Sequence, residues 1–427
     1  MRVSLGPRRG FHFAGPVPGD KSVTHRAYLL ATRAQGETWV RGALRSRDTD
    51  ATLAVCRALG ADVRVEGEDI RIAPPAKLQE PSAPLDCENA GTLIRLAAGY
   101  LAGAGLFAVL TGDDSLRARP MRRVVEPLRM LGARIEGRDQ GARAPLAVLP
   151  AGLAGRIISL PLPSAQVKSA VMLAALDAAG ETVLTDLMPT RDHTERMLRQ
   201  FGARVDSQGD SVRIVGGQQL ISPGRLDVPG DISHAAFLLA AAALSERGET
   251  RVTGVGLNPG RTGILAVLQR MGARIEVSAG ADGGAIEPSG DVLVRQSELV
   301  GVEIEAAEVP SLIDELPVIA ALALCAEGVT TVRGAGELRV KETDRIAALR
   351  QMAEAVGGDF EELPDGFRIQ GKRHVQGGLV QSLGDHRIAM AAAVLSLRSR
   401  EGVEVADAEA AAVSFPRFFD LFEAASA

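Results

Sequence analysis

Six times along the chain a long apolar run ends in a glycine followed by a short strand-like run, at Gly36, Gly105, Gly180, Gly248, Gly328 and Gly402. These glycines recur roughly every 70 to 80 residues, a period too long for the common solenoids of about 20–50 residues. A second echo is interleaved with the first, a helix-like run closed by a glycine turn. It reads Leu59-Gly60-Ala61, Leu131-Gly132-Ala133, Phe201-Gly202-Ala203, Met271-Gly272-Ala273 and, more loosely, Val356-Gly357-Gly358. Each unit therefore reads helix, strand, helix, strand. A chain of 427 residues exceeds a single compact core and suggests about two domains, with three copies of this small α/β unit in each.

The first helix of each unit is apolar on all sides, as from Ile313 to Ala320, and such a helix belongs inside. The second is amphipathic, with Arg122, Arg123 and Arg129 set among Val124, Val125, Leu128 and Leu131 at helical spacing. Helices enclosed by strands is the packing expected. With 3% aromatic residues the cores must be built from Ala, Leu, Val and Ile. A net charge of −5 with mixed signs gives no electrostatic case for nucleic acid or an anionic membrane. Cys56, Cys87 and Cys325 lack metal-ligand spacing and suit a reducing cytosol. The N-terminus has no apolar signal region, and stretches such as Ala235 to Leu244 are too short to span a bilayer. A soluble cytoplasmic protein is expected.

The helix starts carry the chemistry. Only five of the 48 basic residues are lysines, and three of them, Lys21, Lys168 and Lys341, stand where repeat helices open. An ammonium is a compact point charge that a planar guanidinium does not reproduce, so Lys21 and Lys341 are read as chemical. First-helix starts hold GDKSVTHR (19–26), ENAGTLIR (88–95), PSAQVKS (163–169), GDISH (230–234), SLIDE (311–315) and GDHR (384–387). Second-helix starts add Arg47-Asp48, Arg119-Pro120, Arg191-Asp192-His193, Arg261-Thr262 and KETDR (341–345). Helix N-termini attract anions, and ordinary capping accounts for the Ser, Thr, Asp and Asn found there. It does not account for Lys21, Arg26, Arg95, Arg119, Arg345 and Arg387, since cations are disfavoured at that end. Repeated violations of a local rule mark function. Asp314, Glu315 and Glu342 add carboxylates able to move protons. There is no HExxH, no Cys/His cluster, no P-loop and no dinucleotide fingerprint; Gly254-Val255-Gly256 runs into Pro259. Acid/base chemistry between two small anionic substrates fits best.

These motifs, with RARP, TRDHTE and SLIDELP in the same order, closely resemble those of the enolpyruvyl transferases, in the branch whose acceptor is shikimate 3-phosphate. The match runs over essentially the whole chain. The resemblance implies an inside-out α/β barrel fold of six βαβαββ repeats, three per domain. It implies a discontinuous domain of residues 1–19 plus 230–427 with repeats four to six, an inserted domain of residues 20–229 with repeats one to three, and an active site in the cleft between them. The activity implied is transfer of the enolpyruvyl group of phosphoenolpyruvate to the 5-hydroxyl of shikimate 3-phosphate, on the chorismate route to aromatic amino acids. By the same resemblance Asp314, Glu342, Lys21 and Lys341 are catalytic, with Asp314 the base for the hydroxyl and Glu342 the partner in protonating the enol methylene. Shikimate 3-phosphate is assigned Lys21, Ser22, Arg26, Ser164, Ala165, Gln166, Arg191, Asp314 and Lys341. Phosphoenolpyruvate is assigned Lys21, Asn89, Gly91, Thr92, Arg119, Gln166, Arg345, His386 and Arg387. Lys168 is read as neutralising the acceptor's phosphate, and His193 as a positioning group. Neither metal nor cofactor is implied, and the enzyme is expected to act as a monomer.

Three departures from the family pattern stand out. Ala165 follows Ser164 where many members have a second serine. Arg191, His193 and Glu195 match a branch known for glyphosate tolerance, whereas Gly91 leaves the small site open and favours sensitivity. Val413 stands before Ser414-Phe415-Pro416 where some members carry a lysine. A sister family transferring to UDP-N-acetylglucosamine places a reactive cysteine before its Ala-Arg-Pro; the segment from Thr111 to Pro120 has none. A non-catalytic scaffold sensing anionic metabolites would need the cations but not Asp314, Lys341 and Glu342 together.

Overall fold

An apolar helix has nowhere to go but inward, and the first helix of each repeat is buried accordingly. In the computed structural model, which describes residues 1–160, 163–186, 188–280 and 287–426, every residue of Ile232–Leu244, Leu316–Cys325 and His386–Leu395 is buried. Their counterparts Lys21–Arg33, Gly91–Ala104 and Ala165–Ala175 are buried over most of their length. The second helices, including Arg47–Ala58, Arg122–Met130, His193–Gln200, Gly263–Arg270 and Arg345–Ala355, bury one side only.

The chain divides into two units, Met1–Pro18 with Pro229–Ala427, and Gly19–Val228. Each has its own hydrophobic core, and no buried side chain is shared between the two clusters. In the first unit the three inner helices pack on one another and the strands lie against them from outside, so this is an α/β barrel with its helices inside.

The first five repeats use one wiring, and the sixth keeps its parallel pair with a single antiparallel strand beside it. A strand leads into the inner helix and a second strand leaves it parallel to the first; Leu85 pairs with Leu110 in this way. After the outer helix a hairpin returns antiparallel to that second strand, as Arg134–Gly137 and Arg143–Leu149 do beside Ala108–Thr111. Alternate residues of Arg143–Leu149 point inward, burying Ala144, Leu146 and Val148, the period of two that a one-sided sheet requires. Distant segments close both units. Arg225–Asp227 supplies the leading strand of repeat one, parallel to Thr38–Arg41. Gly10–Pro16 supplies that of repeat four, parallel to Arg247–Gly256, and Arg2–Leu5 lies antiparallel to Val403–Ala406 in repeat six.

The repeat glycines are not all alike. Five of the first set, Gly36, Gly105, Gly180, Gly328 and Gly402, take left-handed φ values of 64–93°, the turn from helix to strand that only glycine makes cheaply. Gly248 does not. It lies inside Arg247–Gly256, where a Cβ would sit 2.6 Å from the carbonyl oxygen of Phe11, so close strand pairing keeps it a glycine. Two helix starts also differ from the sequence reading. The fifth inner helix begins at Leu316, with Pro317 in its first turn, so Asp314 and Glu315 lie in the turn ahead of it. Lys341 follows the 3₁₀ turn Gly336–Val340 and precedes the helix Arg345–Ala355, which Asp344 caps.

Few aromatics and many alanines let helices approach closely. A Cβ on Gly99 would lie 1.9 Å from the carbonyl oxygen of Ala170, where the helix Gly91–Ala104 meets Ala165–Ala175. Gly99→Ala is therefore expected to lower the unfolding free energy by about 1–3 kcal/mol through overpacking. Gly152→Ala, with nothing within 4 Å of its new methyl, should be close to neutral in the same denaturant titration.

Candidate active site

In the unit Gly19–Val228 the first turns of the three inner helices lie side by side, and side-chain contacts fix their alignment. Arg26 on the first helix donates from Nη2 to Ser169 Oγ on the third at 2.7 Å and from Nε to Thr194 Oγ1 at 2.7 Å. Its Nη1 bonds the carbonyl oxygen of Ser22 at 2.9 Å. Arg95 on the second helix donates to Gln166 Oε1 on the third at 2.7 Å, and Gln166 returns Nε2 to Thr92 Oγ1 at 2.9 Å. Lys21 pairs with Asp48 at 3.0 Å, an acid that the sequence left without a role. Arg119 bonds Asn89 and Ser115, and Asn89 donates to Asp113 at 2.7 Å.

The two flanking helices have side-chain caps, from Asp20 to the Val23 amide and from Ser164 to the Val167 amide. The middle helix starts at Gly91 without one, so the anion-attracting end of that helix faces Arg95 and Arg119. A Cβ on Gly91 would approach Arg95 Nη1 to 2.9 Å and Arg119 Nη1 to 3.0 Å. Residues 89, 91, 92, 95, 119 and 166 thus form one cluster, with Ser22, Arg26 and Ala165 adjoining it through the third helix.

In the other unit the turn before Leu316–Cys325 carries the central carboxylate. Asp314 Oδ1 faces three cations, Lys341 at 3.6 Å, Arg345 at 3.7 Å and Arg387 at 4.0 Å. Arg387 Nη1 also holds the Asp314 carbonyl oxygen at 2.7 Å. Arg345, buried to 1% exposure, is fixed by Asp385 at 2.7 Å and by Glu342 at 2.6 Å. Burial would lower its affinity for a proton, but Asp385 and Glu342 outweigh that and raise it, so the guanidinium is a permanent charge. Its Nη1 makes no hydrogen bond among the described residues. His386 is buried beside Asp385, whose carboxylate caps the sixth inner helix through the Arg387 amide.

The sequence and the structure part at Lys168. It is buried to 4% and bonded to Asp186 at 2.9 Å and Glu195 at 2.8 Å. Those two carboxylates offset its charge inside the protein, so it is not placed as a neutraliser of a substrate phosphate. His193 is buried at the start of its helix, and Ser164 and Arg191 are half-buried. Sequence reasoning missed the residues that hold the charged groups, namely Asp48, Asp385, Ser169 and Thr194. All four lie within or beside the quoted motifs, which was the available signal.

A family model described as EPSP synthase (3-phosphoshikimate 1-carboxyvinyltransferase) matches residues 16–422. The chain belongs to the EPSP synthase family. A 3-phosphoshikimate 1-carboxyvinyltransferase of Geotalea uraniireducens is 48% identical over 409 residues, covering 95% of each chain. One from Thermus thermophilus is 50% identical over 416 residues, covering 97% of this chain and 96% of the other. A solved structure of EPSP synthase from Acinetobacter baumannii matches with a TM-score of 0.87 at 38% identity, covering 100% of this chain and 98% of that one. The EPSP synthase fold is therefore the fold of this chain, as its six repeats imply.

One group in this EPSP synthase family member titrates abnormally without touching the central carboxylate. His25 is fully buried; its Nδ1 meets Thr52 Oγ1 at 2.6 Å and its Nε2 has no partner among the described residues. Burial, reinforced by the charges of Lys21 and Arg26, holds its imidazole far below the ordinary 6.5. The folded protein keeps it neutral while the unfolded chain protonates it, so acidification below 6.5 favours unfolding by about 1.4 kcal/mol per pH unit. Denaturant unfolding from pH 7 to pH 5 should show stability falling with acidification, and His25→Gln should remove that share of the slope.

Proposed function

We propose that the chain transfers the enolpyruvyl group of phosphoenolpyruvate to the 5-hydroxyl of shikimate 3-phosphate, releasing phosphate. One observation carries the reading: in a chain of this family, Asp314 sits among Lys341, Arg345 and Arg387 with Glu342 bonded to the same arginine. That arrangement places two carboxylates for proton transfer beside cations suited to a planar carboxylate. Residues of both units would act on one pair of substrates.

In this reading Arg345 and Arg387 hold the carboxylate of phosphoenolpyruvate. Lys21, Arg119, Asn89, Thr92 and the amides at Gly91 take its phosphate. Ser164 and Arg191 take the phosphate of the acceptor, Ser22 and Arg26 its carboxylate, and Gln166 lies between both substrates. Anions bound to Lys341, Arg345 and Arg387 would free the Asp314 oxygens for the proton of the 5-hydroxyl. Glu342, with Lys341, delivers a proton to C3 while the hydroxyl oxygen adds to C2, giving a tetrahedral intermediate. A C3 proton then leaves as the C2–O bond to phosphate breaks, so the phosphoryl group is never transferred. Fixed cations aimed at the developing charge supply most of the barrier lowering. The same reading makes the protein a cytoplasmic monomer; its three cysteines are unpaired and buried, as a reducing compartment allows.

Phosphate release tests the reading. It should occur with phosphoenolpyruvate and shikimate 3-phosphate, should not occur with UDP-N-acetylglucosamine, and should be indifferent to a chelator. Asp314→Asn and Glu342→Gln should each lower kcat by about 10²–10⁴-fold; release with the sugar nucleotide alone would overturn the assignment. A second outcome concerns the open middle helix. Gly91→Ala puts a methyl against Arg95 and Arg119, so KM for phosphoenolpyruvate should rise while that for shikimate 3-phosphate stays near its original value. The unsubstituted protein, with that space open, should be sensitive to glyphosate, and Gly91→Ala less so.

A further inference from the structure

Behind Arg26 lies a buried ion cluster that takes no part in the steps above. Lys168, Asp186 and Glu195 are exposed by 4%, 7% and 2%, and the ammonium bridges both carboxylates at 2.9 and 2.8 Å. Burying three charges is a costly way to join two helices, since apolar residues of similar volume would do as well or better. Asp186 Oδ1 and Glu195 Oε2 make no hydrogen bond among the described residues, so the cluster is not optimised for stability alone. The chain uses lysine at only five of 48 basic positions, and here a compact ammonium fits where a fork-shaped guanidinium would not.

The neighbours of this cluster show what it controls. Lys168 adjoins Ser169 on the third inner helix, and Glu195 adjoins Thr194 on the outer helix. Ser169 Oγ and Thr194 Oγ1 are 2.6 Å apart, and Arg26 is seated on this hydroxyl pair, Nη2 on one and Nε on the other, each at 2.7 Å. The two helices are thus latched twice, once by charge and once by the hydroxyls, in adjacent positions. The spacing of the hydroxyls sets the plane of the guanidinium.

We propose that Lys168, Asp186 and Glu195 are positioning residues for the acceptor, holding Ser169 and Thr194 at the separation that orients Arg26 toward the acceptor's carboxylate. This rests on the functional reading above. The cluster acts on one substrate only, because phosphoenolpyruvate is assigned no ligand on this path.

Steady-state kinetics of Lys168→Met in the full-length protein test it. KM for shikimate 3-phosphate should rise by about tenfold or more, with kcat and KM for phosphoenolpyruvate within about threefold of the original, a split that a general loss of stability would not give. Ser169→Ala leaves the ion cluster whole and should raise the same KM. The double variant should be less than additive, because both changes act through Arg26. Ser169→Ala also supplies the readout if Lys168→Met does not fold. Unchanged KM for shikimate 3-phosphate in the folded variants, an equal rise in both KM values, or strict additivity overturns the inference alone. An unsubstituted protein that releases no phosphate from the two substrates overturns the functional reading, and this inference with it.

Discussion

The structure depends on one arrangement: apolar helices buried along their length, with polar first turns gathered at one end. Burial of helices such as Ile232–Leu244 supplies the hydrophobic driving force, at about 25 cal/mol per Å² of apolar surface. It also leaves each helix only its ends for polar work. Since the first turns meet within a unit, partial positive charges and added cations are concentrated together. Carboxylates and amides answer them, Asp48 for Lys21, Asn89 for Arg119, Asp385 and Glu342 for Arg345. Each of these cations is met by the protein's own side chains.

The helix-start lysines fall into two kinds, and exposure separates them. Lys168 is enclosed and bonded to two buried carboxylates. Removing one member of such a buried pair strands the other, at roughly 3–5 kcal/mol. Lys21 and Lys341 keep 17% and 29% of their side-chain surface in contact with water, beside Asp48 and Asp314. A cation with surface open to water can take a partner from solution, whereas one locked between two buried carboxylates can only hold shape.

What could be read from the sequence follows the same physics. The sixfold period and the buried inner helices were legible because both are local patterns, written in glycine turns and continuous apolar runs. The helix-start motifs were legible because their cations break a local rule. Pairings distant in sequence leave no such trace. Nothing local announces that Arg225–Asp227 closes repeat one, or that Gly10–Pro16 closes repeat four. Gly248 imitates the turn glycines and is kept for a strand contact instead. Lys168 imitates Lys21 and Lys341 at a helix start, and only its three-dimensional neighbours, 18 and 27 residues away along the chain, set it apart.

Repetition shows how one scaffold holds matching arginines differently. In repeat four Arg261 Nη2, before the outer helix, bonds Asp231, the cap of its own repeat's inner helix, and Ser233, and lies 4.0 Å from Glu315 at the start of the next repeat's inner helix. In repeat five Arg345, at the matching place, reaches instead to Asp385, the cap of the next repeat's inner helix. Glu342, three residues earlier, holds a second nitrogen, and Nη1 is left facing Asp314 at 3.7 Å, beyond hydrogen-bond reach. A ligand carboxylate needs a guanidinium edge that the protein has oriented but not satisfied. Holding Arg345 through Asp385 and Glu342 leaves such an edge toward Asp314 without altering the fold.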